Sequence, residues 1–463
     1  MKRAVLCALA LVFAAGLIRA RSEPANPVPP RPGPYDLQTC FELAVLQSET
    51  LGMREEDIRV AQARYWQAVG SVFPQVHVLA EQRLQNSTDR GGSGSSSSSG
   101  SGFSSNNGNS GNNFGNSPDS NNVRINVRQP IFSGFREFNA AGSGRADILA
   151  RRFDKERARQ LLYLDVADVF YQVLMYQEDL KLLGELGEAL GERRGELNKR
   201  VKLGRSRAGE SLAAQSDLAE NFVAIEQTRG LLGASRELLA FLIGVPAEKI
   251  TLKDDRALPG AQALEAYLIQ TGERPDVLSA IQAEESQRRL LEEAKGEHYP
   301  TIAAEANYYV RQHPDFGNEW NVALTFDLPI FEGGVIEARV REHEALVRQS
   351  HLNLDELRRT ADRDVRTAYN NFISSLAQAA RLRESLRAQS ENYEVQRHDY
   401  GLGISSNLDV LTALQMLETT KRRLSDAEMD AKVNLVRLHV AAGASRTIPT
   451  MEPEPKVSAE QNR

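Results

Sequence analysis

Apolar residues in this chain switch between two periods, and they do so twice. Val123, Ile125, Val127 and Ile131 alternate with Arg124, Asn126, Arg128 and Pro130. Trp320, Val322, Leu324, Phe326 and Leu328 alternate with Asn321, Ala323, Thr325 and Asp327. A period of two predicts strands. Looser alternation follows Pro74 (Val76, Val78, Ala80) and Pro300 (Ile302, Ala304, Ala306, Tyr308, Val310), so four strands are expected. After each strand pair the period lengthens. Phe138 to Val201 contains no proline and spaces Leu162, Val166, Val169, Val173, Leu183, Leu186, Leu190 and Leu197 along one helix. At about 1.5 Å per residue that helix would be roughly 95 Å long. The segment Leu203 to Gly209 breaks it, and a return helix is expected from Glu210 to Ile243. The pattern recurs as Ile336 to Tyr400, a break at Gly401 to Ser406, and Asn407 to Ala442. On this last helix Val410, Leu417, Leu424, Ala431 and Leu438 lie seven apart, a coiled-coil seam. Asp36 to Val72 also has helical spacing and stops at Pro74.

The two runs are copies in register. Pro130-Ile131-Phe132-Ser133-Gly134 returns as Pro329-Ile330-Phe331-Glu332-Gly333, an offset of 199 residues. Leu203-Gly204 returns as Leu402-Gly403, Leu212 as Leu411 and Gly244 as Gly443 at the same offset. The expected organisation is therefore a first copy over 37–244, a linker over 245–260 and a second copy over 261–443. The fold class is mainly α with a small β part, each copy a strand hairpin followed by a long helical hairpin. On strand pattern alone two readings stay open: an outer-membrane barrel, or an antiparallel sheet with one wet face.

The copies differ in one insertion. Between Asn86 and Asn122 the first copy is almost all Ser, Gly and Asn, a composition that cannot bury enough apolar surface to offset its ordering entropy. It is expected to be a long mobile loop. The ends also read as unstructured. Residues 1–20 resemble a secretory signal, with Lys2 and Arg3 before the apolar stretch Ala4 to Ile18 and cleavage near Ala20. A Pro-rich leader fills 21–36, and a polar tail fills 444–463.

Charge and cysteine content narrow the class. The formal charge is −6, and removing Lys2, Arg3 and Arg19 with the signal takes it to −9 (−6 − 3). That balance argues against nucleic acid. Cys7 lies inside the signal and no lipoprotein acceptor motif follows, so the chain is not expected to be lipidated. Only Cys40 remains, which excludes an internal disulfide. No stretch after the signal approaches the roughly 18 apolar residues of a spanning helix. A membrane role must go through strands.

No enzyme chemistry is legible. His343 and His351 are eight residues apart, and Arg341-Glu342-His343-Glu344 lacks the second histidine of a zinc-protease helix. Gly401-Leu402-Gly403 and Gly142-Ser143-Gly144 complete no phosphate-binding fingerprint. No catalytic residues, no metal site and no cofactor are expected. One stripe stands out: Gly184, Gly187, Gly191 and Gly195 share a helix face, where each costs roughly 0.5–1 kcal/mol against Ala. It reads either as chance or as a close-packing or partner-docking face. The second copy has Arg383, Leu386, Ser390 and Glu394 at those positions.

Taken in order, these motifs resemble the TolC family of outer-membrane efflux proteins. The carriers are Gln129 to Gly134 and its copy Leu328 to Gly334, then Arg274-Pro275-Asp276-Val277, then Tyr400 to Gly403 leading into Asn407-Leu408-Asp409-Val410-Leu411. The resemblance spans about Leu37 to Gly443. It implies a homotrimer whose twelve strands form one barrel in the bacterial outer membrane and whose helices continue as a periplasmic tunnel. It further implies a passive exit duct for efflux or type I secretion, joined by a periplasmic adaptor to an inner-membrane pump. Val123, Ile125, Val127, Trp320, Val322, Leu324, Phe326 and Leu328 would then face lipid. The tunnel's gate would lie at the hairpin tips. By the family's pattern Asp409 matches an acidic constriction position, Thr412 replaces a second one, Glu210 is the first-copy acid and Tyr400 matches a gate tyrosine. Ser405 stands where an arginine is expected, and Arg205 and Arg207 lie in the first turn instead. The rival reading is a periplasmic adaptor or other coiled-coil scaffold, which would carry one helical hairpin rather than two.

Overall fold

The structure is a computed structural model that describes residues 33–84, 119–254, 260–313 and 319–443. The signal, most of the leader, most of the Ser/Gly/Asn loop and the tail lie outside the described residues. The chain opens with α1 (Leu37–Gln47) and α2 (Glu49–Gly70). Helical spacing alone predicts one helix here. Ser48 divides it, because its extended backbone ends α1 while its hydroxyl accepts from the Leu51 N–H to cap α2.

Strands β1 (Gln75–Leu84) and β2 (Asp119–Ser133) follow. β2 starts four residues before Val123, so the inserted loop is shorter than its composition suggests. Then come α3 (Arg136–Lys202), α4 (Ala208–Ile243), the short α5 (Leu264–Leu268) and α6 (Pro275–Lys295). β3 (Thr301–His313), β4 (Trp320–Asp327), α7 (Val335–Leu402) and α8 (Asn407–Ala442) complete the second copy. The duplication is visible in the backbone. Gly134 and Gly333, Gly204 and Gly403, and Gly244 and Gly443 are pairs 199 apart, all with positive φ. Phe135 is the one non-glycine with positive φ among the described residues, and its counterpart is Gly334.

The four strands form one antiparallel sheet in the order β1-β2-β3-β4. The register aligns Val78, Ile125, Tyr308 and Trp320, and then Val76, Val127, Ala306 and Val322, on one face. The other face is polar. Asn126 donates to Asn307 at 2.9 Å and Asn307 to Asn321 at 3.0 Å, a hydrogen-bonded row across three strands. β2 slips register between Pro130 and Phe132, where proline offers no N–H to the ladder.

The four long helices form a layer in the order α4-α3-α8-α7, with α2 and α6 laid on α3, and α6 also on α7. Its largest core joins α1, α3, α4 and α8 through Phe41, Val166, Phe170, Val173, Leu239 and Val440. The segment after α4 is not a free linker. Val245 and Ile250 are buried, and Tyr35 pairs with it through N–H to Thr251 O at 2.7 Å. Arg274 anchors the second copy. It is 3 % exposed, forks onto Asp276 at 2.8 and 2.7 Å, and reaches Asp364 at 3.3 Å.

Candidate functional site

The far end of the helix layer holds both hairpin turns. In the first, Gly204 takes positive φ and α4 begins at Ala208 without a side-chain cap. In the second, Gly403 takes positive φ and α8 begins with a full capping box. The Ser406 hydroxyl accepts from the Asp409 N–H at 3.3 Å, and Asp409 accepts from the Ser406 N–H at 2.8 Å. Those bonds from Ser406 hold the Asp409 carboxyl below the usual carboxylate range. Asp409 is exposed at the tip, as is Thr412 one turn on. Glu210, at the equivalent place in the first copy, accepts from the Ser206 hydroxyl at 2.5 Å. Asp409, Thr412 and Glu210 thus lie at one end of the molecule.

Tyr400 is held differently from expectation. The Arg205 and Arg207 side chains are exposed and make no ion pair or side-chain hydrogen bond among the described residues. Two arginines of α3 reach Tyr400 instead. Arg193 lies over its ring at 3.9 Å from the centroid and Arg200 at 4.7 Å. Arg193 also donates to the buried Asn407 side chain at 2.8 Å, and both guanidinium groups are steadied by Glu196 at 2.9 Å. The ring face, not the hydroxyl, makes these contacts. Sequence reasoning missed Arg193 and Arg200 because they lie on another helix and outside any turn. Their spacing of seven, two turns on one face, was the available signal.

Below this clamp Leu190, Leu197, Ala214, Leu218, Leu411 and Leu414 pack between the hairpins. Farther up, the α3–α8 seam carries two more arginine bridges. Arg422 forks onto Asp179 at 3.0 and 2.9 Å, and Arg437 meets Asp168 at 3.1 Å. The glycine stripe lies on α3, and its one close neighbour among the described residues is on α4. A Cβ on Gly187 would meet the Asn221 amide nitrogen at 2.8 Å, so a larger residue there must displace the side chain that donates to Leu183 O. Gly184, Gly191 and Gly195 face open space within the chain.

At the sheet end, Trp320, Val322, Leu324 and Phe326 are 62–70 % exposed on the apolar face, and Leu328 lies just past β4. Val123, Ile125 and Val127 share that face and are half-buried. Where the strands meet the helices, Phe73, Phe135, Phe138, Tyr299 and Phe331 are all exposed at the same end of the sheet. No helix among the described residues is long and apolar enough to cross a membrane.

The chain joins an exposed apolar sheet face to two helices of 67 and 68 residues. The sequence profile of one family, outer membrane efflux protein, matches residues 41–245 and 270–444. The chain belongs to the outer membrane efflux protein family. Relatives include outer membrane protein TolC of Vibrio cholerae, 23% identical over 64% of this chain and 72% of its own length. Another is the alkaline protease secretion protein AprF of Pseudomonas aeruginosa, 23% identical over 70% of both chains. Among solved structures, the outer membrane protein VceC of Vibrio cholerae superposes with a TM-score of 0.73, covering 88% of this chain and 96% of its own at 17% identity. CusC superposes with a TM-score of 0.73, covering 91% and 98% at 20% identity. The shared fold is that of outer-membrane channels with a helical periplasmic part. This family member is thus an outer-membrane efflux protein whose helices lie in the periplasm.

Proposed function

We propose that three copies of this chain close into one exit duct, a twelve-stranded barrel above a helical tunnel, gated at the hairpin tips. The observation that carries this reading is that both layers end in unsatisfied edges of matching kind. β1 and β4 are the two sheet edges, with unpaired backbone groups that lipid cannot satisfy. Four strands are too few for a barrel, whereas three sets give twelve. In the helix layer, α4 and α7 are the edges. α4 exposes Leu212, Phe222, Val223, Leu231, Leu238 and Phe241, and α7 exposes Leu352 and Val395. Joining α4 of one copy to α7 of the next covers those residues just as β4 joins β1. Val76, Val78, Trp320, Val322, Leu324 and Phe326 then face lipid, with the aromatic residues at the strand–helix junction marking the periplasmic interface.

In that assembly three Asp409 carboxylates surround one opening and favour cations. Tyr400, pinned by Arg193 and Arg200, holds the second hairpin against the first in the resting state. An adaptor opens the duct by preferring the separated arrangement of hairpins. Gly184, Gly191 and Gly195 leave a shallow face on α3 where an adaptor helix can approach closely. Purified protein in planar bilayers tests the reading. Discrete, cation-selective conductance steps that grow when Arg193 is replaced by Ala are expected. A protein that never conducts, with or without that change, is a scaffold and overturns it.

A further inference from the structure

We infer that Asp179, Arg422 and Asp426 form a proton-operated brace that tightens the seam between the two hairpins in acid and loosens it near neutrality. It lies more than ten residues along α8 from the gate tyrosine's clamp and uses none of its groups.

The geometry is a three-body contact with one cation too few. Asp179 of α3 is 6 % exposed and takes both arms of the Arg422 guanidinium. Asp426 is one turn after Arg422 on α8, on the same side of that helix. Its Oδ1 is buried with no hydrogen-bond partner. With both carboxylates ionised, one arginine faces two negative charges in a poorly hydrated seam, which is unfavourable. Protonating Asp426 removes the repulsion and supplies an O–H donor where an unpartnered oxygen now sits.

Among the described residues no cation forms an ion pair with Asp426, and Arg423, three residues before it, is exposed. Asp430, one further turn along, adds negative charge. Lys421 is held by Glu418 at 2.8 Å, and on α3 Lys181 is held by Glu178 at 3.0 Å. From α7, Arg383 turns to Glu428 at 2.6 Å. α4 approaches α8 nearer the tip, where Asp217 pairs with Gln415. Accordingly burial, with the charges of Asp179 and Asp430 against that of Arg422, pushes the Asp426 carboxyl up to about 6. An unfolded-chain aspartate titrates near about 3.9. The folded value is the higher one, so the contribution of Asp426 is fully present in acid and is lost as pH rises through about 6. One proton is involved, which limits the effect to about tenfold in the seam equilibrium per pH unit.

The repeat shows that this is not a general feature of the helices. At the 199-residue offset Asp179 becomes Gln378, Arg422 becomes Val223 and Asp426 becomes Gln227, all unable to titrate.

The test is the distance between spin labels at Lys181→Cys on α3 and Arg423→Cys on α8, in full-length protein. Cys40 is fully buried and stays unlabelled. The distance distribution should be narrow at pH 5, broaden through a midpoint near pH 6 and be broad at pH 7.5. With Asp426→Asn it should be narrow throughout. A wild-type distribution that ignores pH, or an Asp426→Asn protein that still broadens, overturns the brace. The readout does not need a conducting pore. A pH-dependent seam in a protein that never conducts would leave the brace standing and remove only the channel reading.

Discussion

The seam inside the chain and the two open edges of the helix layer are built from one repeated unit, yet their chemistry is opposite. Inside, α3 meets α8 through Asp168–Arg437 and Asp179–Arg422, and near the tip Arg193 and Arg200 of α3 stack on Tyr400 at the end of α7. At the 199-residue offset the edge helices carry Thr367 and Leu238, and Gln378 and Val223, in the places of the ion pairs; Asn392 and Asp399 of α7 replace the stacking arginines, and Val201 of α3 replaces the tyrosine. A covalently joined seam can rely on directional charge contacts, since loss of one leaves the partners close. A seam that must form between separate chains gains more from burying Val223, Leu238 and Phe241, because apolar area contributes without fixing geometry. The same split recurs at the strand–helix corner. Gly334 takes its left-handed turn freely, while Phe135 takes it at a steric cost of about 1–2 kcal/mol and places a ring 5.2 Å from Phe132.

The comparison breaks most easily on the apolar side. Arg in place of Leu324 should cost about 2–4 kcal/mol if that position faces the middle of the bilayer, and should abolish outer-membrane assembly. Arg at Thr325, on the polar face, should be far milder. Equal tolerance of the two, measured by membrane fractionation, would sink the barrel. Next, Val223→Arg should leave the chain folded by circular dichroism yet prevent oligomer formation, since it puts an unpaired charge into the proposed inter-chain seam. Arg422→Ala should do the reverse. It strands Asp179 and should lower thermal stability by about 1–3 kcal/mol while oligomers persist. If both variants fail in the same way, the two seams are not different in kind. Smaller again, Tyr400→Leu should cost about 0.5–2 kcal/mol of tip stability through lost guanidinium stacking, and Tyr400→Phe almost none. A large effect of Tyr400→Phe would mean that the hydroxyl has a partner outside the chain. Smallest of all, deleting residues 91–117 should leave assembly intact, because loop length enters closure entropy only logarithmically.

Much of this architecture was legible because period and punctuation carry it. The strand period, the uninterrupted helices and the positive-φ glycines 199 apart each have a local cause, so α3, α4, α7 and α8 end within two residues of where spacing puts them. The division of the first helix at Ser48 was not legible from spacing, since a single capping serine leaves the apolar stripe in phase. Nor were Arg193, Arg200, Arg422 and Asp426. Their partners lie 200 or more residues away in sequence, and the spacing of seven between Arg193 and Arg200 shows a shared face without saying what that face meets. The acids at the tip could be named from the motif. The capping box of Asp409 with Ser406 needed the geometry, and the first copy has no such cap.

The central claim is that the apolar edges close on copies of the same chain, three at a time. Native mass spectrometry of the detergent-extracted protein tests it most directly. The account predicts one species at three times the mass of the single chain, and monomer alone for Val223→Arg. A stable monomer of the unmodified chain, or an assembly of any other number, would contradict it.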